Sequence, residues 1–140
     1  MNLNMMFFNE TSTLHEKRNQ KILIMNREID FLEKLAEAYQ KFDISIIENY
    51  LADDMHYASM WVFREMTSKE EYLNYLKGKL ETMKRTNKKM EFEIVKGGMH
   101  THALLVTNGR SPEGAPLGFV ADFNEEGKVK MLNITIQDFF

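Results

Sequence analysis

The sequence predicts an α+β fold in which helices pack on one curved, mostly antiparallel sheet wrapped around them. Two observations predict it. Apolar residues recur at helical spacing in two long stretches before Asn87, with one strand-like run between them. After Asn87 the pattern changes to strand-like runs separated by turn signals. Helices gathered on one side of an antiparallel sheet are a stable way to bury both.

The first helix is read from Ile22, Met25, Ile29, Leu32, Leu35, Tyr39 and Phe42, whose steps of three and four make one apolar stripe. Thr13 and Glu16 have capping-box spacing and allow an earlier start, and Asp43 ends the helix. Ser45 with Glu48 repeats the capping pattern for a short second helix reaching about Leu51, with Ile46, Ile47 and Tyr50 inward. Asp53-Asp54 then reads as a turn before a strand over Met55–Phe63. Thr67-Ser68 followed by Glu70-Glu71 caps a third helix carrying Tyr72, Leu73, Leu76, Leu80 and Met83. The remaining strands are Met90–Lys96, His100–Thr107, Leu117–Phe123 and Val129–Gln137, divided by Gly97-Gly98, the loop Asn108–Pro116 and the turn Asn124–Gly127.

Composition narrows the function classes. The chain of 140 residues is long enough for one domain burying about two-thirds of its unfolded surface. Met25 opens a second possible start, so residues 1–24 read as an N-terminal extension and 25–140 as the domain. A formal net charge of -3 offers no basic footprint for nucleic acid. Lys84, Arg85, Lys88 and Lys89 cluster, which a solvated helix end explains. No apolar run reaches the roughly 18 residues of a membrane span. MNLNMMFF lacks the basic flank and cleavage site of a signal peptide. The absence of cysteine excludes disulfides and thiol chemistry and fits the cytoplasm. No glycine-rich phosphate loop, nucleophile elbow or HExxH motif occurs, so no cofactor is implied.

The strand HYASMWVF carries the sole tryptophan and one of four histidines, where a plain core strand would be aliphatic. Alternation puts Tyr57, Ser59 and Trp61 on one face and His56, Ala58, Met60 and Val62 on the other. Trp61 has a flat apolar face and one N–H donor, suited to lining a cavity that takes a ring-shaped ligand, and suited also to core packing. His100 and His102 face the same way on their strand, so both could approach one substrate or one metal. A catalytic metal needs a third protein ligand, for which only guesses exist (His56, Asp122 or Asp138), so no metal site is assigned. One of His100 and His102 is the candidate acid-base residue; a sheet surface or a subunit contact accounts for them more simply.

The order of elements, together with Tyr39, Phe42-Asp43, Leu51-Ala52-Asp53-Asp54, Met55-His56-Tyr57 and Phe123-Asn124 through Gly127-Lys128-Val129, resembles the NTF2-like superfamily over about residues 26–137. That superfamily includes the ketosteroid isomerases and the SnoaL-like polyketide cyclases. YASMWVF followed by EEYLNYLKGKLETMK is similar to small bacterial members without an assigned activity.

The resemblance implies a cone of curved sheet closed by helices, an apolar pocket at its mouth, and a homodimer. Matching the motifs places the ketosteroid isomerase base at Ser59, the oxyanion-hole tyrosine at Leu35 and the protonated acid at Phe119. None of these three side chains can perform that chemistry, so the resemblance implies a retained cavity without that catalytic set. Tyr39 lies one turn beyond Leu35 on the same stripe, and Ile134 faces into the cone with Leu132 and Ile136. The expected ligand-lining residues are therefore Leu35, Tyr39, Tyr57, Ser59, Trp61, Phe119 and Ile134, around a small apolar molecule. On the opposite face, Met131, Asn133, Thr135 and Gln137, with Thr101, Ala103, Leu105 and Thr107 on a strand expected alongside, are uncharged. Such an outer sheet face suits contact with a second copy. The alternative function is a non-enzymatic dimeric binding or interaction module, since fold does not fix function.

Overall fold

The computed structural model describes residues 13–59, 64–97, 100–110, 114 and 116–135. Helix α1 (Leu14–Lys41) starts at a complete capping box: Glu16 N–H donates to Thr13 Oγ1 at 3.1 Å, and Thr13 N–H donates to Glu16 Oε2 at 3.2 Å. It continues without a break through Met25 and ends where Phe42 takes a left-handed backbone, φ 55°. The buried stripe is Glu28, Phe31, Leu32, Leu35, Ala38 and Tyr39. It starts later than the expected one, and Ile22 is exposed together with Leu14, Leu23 and Ile24. The first half of α1 thus runs past the packed layers.

Helix α2 (Ser45–Glu48) follows, with Ile47 buried. The expected Ser45–Glu48 capping box does not form. Asp43 Oδ1 instead accepts from both the Ser45 N–H (2.9 Å) and its hydroxyl (2.7 Å), which holds the Asp43 carboxyl below the usual range. Strand β1 (Leu51–Ala58) takes in Asp53 and Asp54, which are therefore strand residues and not a turn. They are exposed within an irregularity where the pairing register shifts between Leu51 and His56, so the strand carries two acids without burying either. Tyr57 also exchanges both backbone hydrogen bonds with Met66, which covers the free edge of β1. The expected continuation over Met60–Phe63, with Trp61, lies outside the described residues.

Helix α3 (Lys69–Arg85) is capped by Ser68, whose Oγ accepts from Glu71 N–H at 3.1 Å. Strands β2 (Phe92–Gly97), β3 (His100–Arg110), β4 (Pro116–Phe123) and β5 (Val129–Thr135) then form an antiparallel meander. The chain turns between β4 and β5 with Gly127 at φ 83°, and a Cβ there would lie 3.1 Å from the Arg27 guanidinium. β1 joins β5 in parallel, giving an open mixed sheet in the order β1-β5-β4-β3-β2.

One face of the sheet supplies Tyr57, Leu104, Val106, Phe119, Ala121, Leu132 and Ile134 to a single core with α1 and α3. Burial of each such leucine or phenylalanine stabilises the fold by about 1.5–3 kcal/mol. On the other face Ala103 and Val120 are buried against Val95 and Leu105. Strand β4 lies between β3 and β5, so the two uncharged strands expected to be neighbours are separated by one strand.

Candidate functional site: a lysine-lined cavity beside a tyrosine layer

A cavity of about 800 Å³ opens where α3 and the segment after it meet the ends of three strands. Met83 from α3, Met90, Val106 from β3, Leu117 from β4 and Ile134 from β5 form its apolar walls. Its polar lining is Tyr75, Lys79, Lys88, Lys89 and Asn108. Such a volume and such walls are typical of a small-molecule site.

Local structure explains the arrangement. Tyr72, Leu76, Lys79 and Met83 fall on one face of α3, so the inward stripe contains a lysine. The helix ends with Asn87 in a left-handed conformation (φ 55°) and Lys88 N–H donating to Met83 carbonyl oxygen at 2.8 Å, which turns the chain back over the cavity. Asn108 then pins the returning segment to β3. Its Nδ2 donates to Lys89 carbonyl oxygen and its Oδ1 accepts from Glu91 N–H, both at 2.9 Å.

Adjoining the cavity is a layer of aromatic rings. The Lys79 ammonium sits 5.6 Å from the centre of the Tyr39 ring, which itself lies 5.5 Å from both Phe92 and Phe119. Tyr57 packs 4.6 Å from Tyr72 and 5.6 Å from Tyr75. The hydroxyls of Tyr39 and Tyr72 are buried with no hydrogen-bond partner among the described residues. Each such donor costs about 1–3 kcal/mol when left unmade. Burial pushes the Tyr39, Tyr57 and Tyr72 pKa values up, with mutual repulsion among the phenols adding to it, so all three remain neutral donors. Burial also pushes the Lys79 ammonium pKa down, and Lys88 adds to that.

Of the expected ligand-lining residues, Ile134 lines the cavity. Leu35, Tyr39, Tyr57 and Phe119 are fully buried in the core; Tyr39 touches Lys79 and Tyr57 touches Tyr75, one layer behind the lining. Ser59 is half-buried just after β1, and Trp61 lies outside the described residues. The two candidate catalytic histidines are on β3. His102 Nδ1 is 3.0 Å from Glu28 Oε1 on α1, on the inner face and several residues from the cavity end of the strand. The side chain of His100 is not among those described. His56 points outward and pairs with Glu65, and among the described residues no three histidines or acids gather as a metal site. Lys79, Lys88 and Lys89 were not expected at the site. A lysine at an inward position of the α3 stripe was the available signal for Lys79, while Lys88 and Lys89 resemble a solvated helix end in any pattern reading.

No protein-family model matches the chain, and no curated protein does. Solved structures do match. A SnoaL-like protein of unknown function from Burkholderia thailandensis is similar over 81% of this chain and 96% of its own, with TM-score 0.61 and 16% identity. An NTF2-like protein of unknown function from Burkholderia pseudomallei covers 79% of this chain and 91% of its own, with TM-score 0.55 and 13% identity. An LEH-like epoxide hydrolase of M. tuberculosis covers 80% and 84%, with TM-score 0.51 and 16% identity. The fold is thus the NTF2-like, SnoaL-like α+β cone. Among the described residues no helix is long and apolar enough to cross a membrane.

Proposed function

We propose that this NTF2-like chain binds a small, largely apolar molecule in the cavity between α3 and the ends of β3, β4 and β5. The observation that carries the reading is the cavity itself, about 800 Å³ with methionine and aliphatic walls over neutral, buried tyrosines. Two of those walls are methionines, whose flexible, polarizable side chains adapt to ligand shape. The unpartnered phenols behind the lining are donors that an ordered water or a ligand's oxygen would satisfy. Neither histidine nor carboxylate is among the described lining residues, which favours binding over acid-base catalysis. We place the binding unit in residues 25–140 and infer that it works as a homodimer through the outer sheet face. Native mass spectrometry of the purified protein tests the site: a small organic adduct on the folded chain is expected. A bare chain that also takes up no apolar dye would overturn it.

Catalysis as an isomerase, cyclase or hydrolase is the second reading. Lys79 favours it, because an amine with a depressed pKa, held against the Tyr39 ring, is suited to proton transfer. Turnover of an apolar epoxide or enone that is lost in Lys79→Met would select this reading.

A further inference from the structure

Resting on the cavity as the ligand site, we propose that its ligand is an amphipathic organic anion, with its apolar body against Met83, Val106 and Leu117 and its acidic group held by Lys79 and Lys88. Among the described residues the polar lining consists almost wholly of donors. Lys79, Lys88 and Lys89 supply ammonium groups and Tyr75 a phenol, whereas no aspartate or glutamate is found among the described lining residues. The one side-chain amide, Asn108, already uses its oxygen to accept from Glu91 N–H and its nitrogen to donate to Lys89 carbonyl oxygen. A site of positive donors selects a negative acceptor.

Lys79 is half-buried, and the backbone that carries the exposed Lys88 and Lys89 is fixed in place. Lys79 occupies an inward helix position between Leu76 and Met83, where an ammonium loses much of its hydration. The backbone carrying Lys88 and Lys89 is tied at Met83 carbonyl oxygen on one side and at Asn108 on the other. The fold therefore brings Lys79 and Lys88 to one cavity despite their repulsion, which also contributes to the lowered Lys79 pKa.

Two dyes with one ring system separate charge from apolar fit: 8-anilinonaphthalene-1-sulfonate and its uncharged parent N-phenyl-1-naphthylamine. Titrated into the full chain by fluorescence, the sulfonate should bind about ten-fold more tightly, with the advantage shrinking as salt is raised. In K79Q/K88Q, with folding verified by circular dichroism, the two affinities should converge. Decanoate, and not decan-1-ol at equal concentration, should displace the sulfonate. Equal wild-type affinities for the two dyes would overturn the anion inference while leaving the cavity as the ligand site. A sulfonate advantage that survives in K79Q/K88Q would overturn the role of these lysines. Failure of both dyes to bind would overturn the cavity reading beneath it.

Discussion

Glu28 on α1 and His102 on β3 meet at 3.0 Å, and both are almost entirely shielded from solvent, with side-chain exposures of 8% and 13%. The pair joins the long helix to β3, one strand in from the edge of the sheet, across 74 residues of sequence. An imidazole held in this way orients a helix on a strand. His102→Leu should lower stability by about 1–3 kcal/mol, because it leaves a buried carboxyl without that partner. Glu28→Leu combined with His102→Leu should recover most of the loss, since an apolar pair of similar size leaves no charge to satisfy. Urea unfolding of the three proteins measures this, and equal stability of His102→Leu and wild type would remove the pair from the stabilising contacts.

The tyrosines give a pH dependence of known sign. All five have pKa values raised in the folded state, with burial the largest cause for each. A raised folded pKa means that the folded chain holds protons the unfolded chain has released. Their contribution is therefore fully present below about pH 10, the ordinary tyrosine value, and is lost as pH rises beyond it. Absorbance at 295 nm should show most tyrosinate appearing together with unfolding, not before it. Ionisation of all the phenols in a chain that stays folded would contradict their burial.

The start of α1 makes a separate prediction. Leu14, Ile22, Leu23 and Ile24 are more than half exposed, at 73%, 53%, 63% and 53%. A chain starting at Met25 forfeits the Thr13–Glu16 cap, worth about 1 kcal/mol, and keeps every buried residue of the helix. Its melting temperature should fall by about 4 °C or less. A collapse measured by calorimetry would show that the first 24 residues pack onto the domain.

Much of the fold was legible in the sequence because its signals are periodic. The stripe from Leu32 to Tyr39, the Ser68 cap and the Asn124–Gly127 turn each depend on a few neighbouring residues. The cavity was not legible in the same way. It is assembled from Lys79, Asn108, Leu117 and Ile134, which belong to four different elements, and no local pattern records where four elements end together. Lys88 looked like an ordinary solvated residue because its position depends on Asn108, twenty residues later, pinning its neighbour. Asp53-Asp54 misled for a related reason: Leu51 and His56 on either side pair with β5, and the two acids are carried between them in an extended irregularity.

The outer sheet face yields the prediction on assembly. Register aligns Ala58, Asn133, Val120, Ala103 and Val95 in one row across all five strands, without a charge in it. A second copy docked on this row would place like residues near a two-fold axis. Asn133→Lys should then shift the protein from dimer to monomer in light scattering, with little change in circular dichroism. A wild-type monomer at micromolar concentrations would dismiss the row as an interface.

The parallel union of β1 with β5 has a consequence for how the chain reaches its native state. Strands β2 to β5 are joined by successive antiparallel connections and can zip up locally, whereas β1 must wait for the last strand of the sheet. Emerging from a ribosome, α1 can already pack on β2 and β3, whereas β1 has no strand to pair with until β5 is made. Docking of β1 closes a loop of some seventy residues, and contacts so distant in sequence slow the search for the native arrangement. The first strand of this sheet is therefore the natural candidate for the last to be captured.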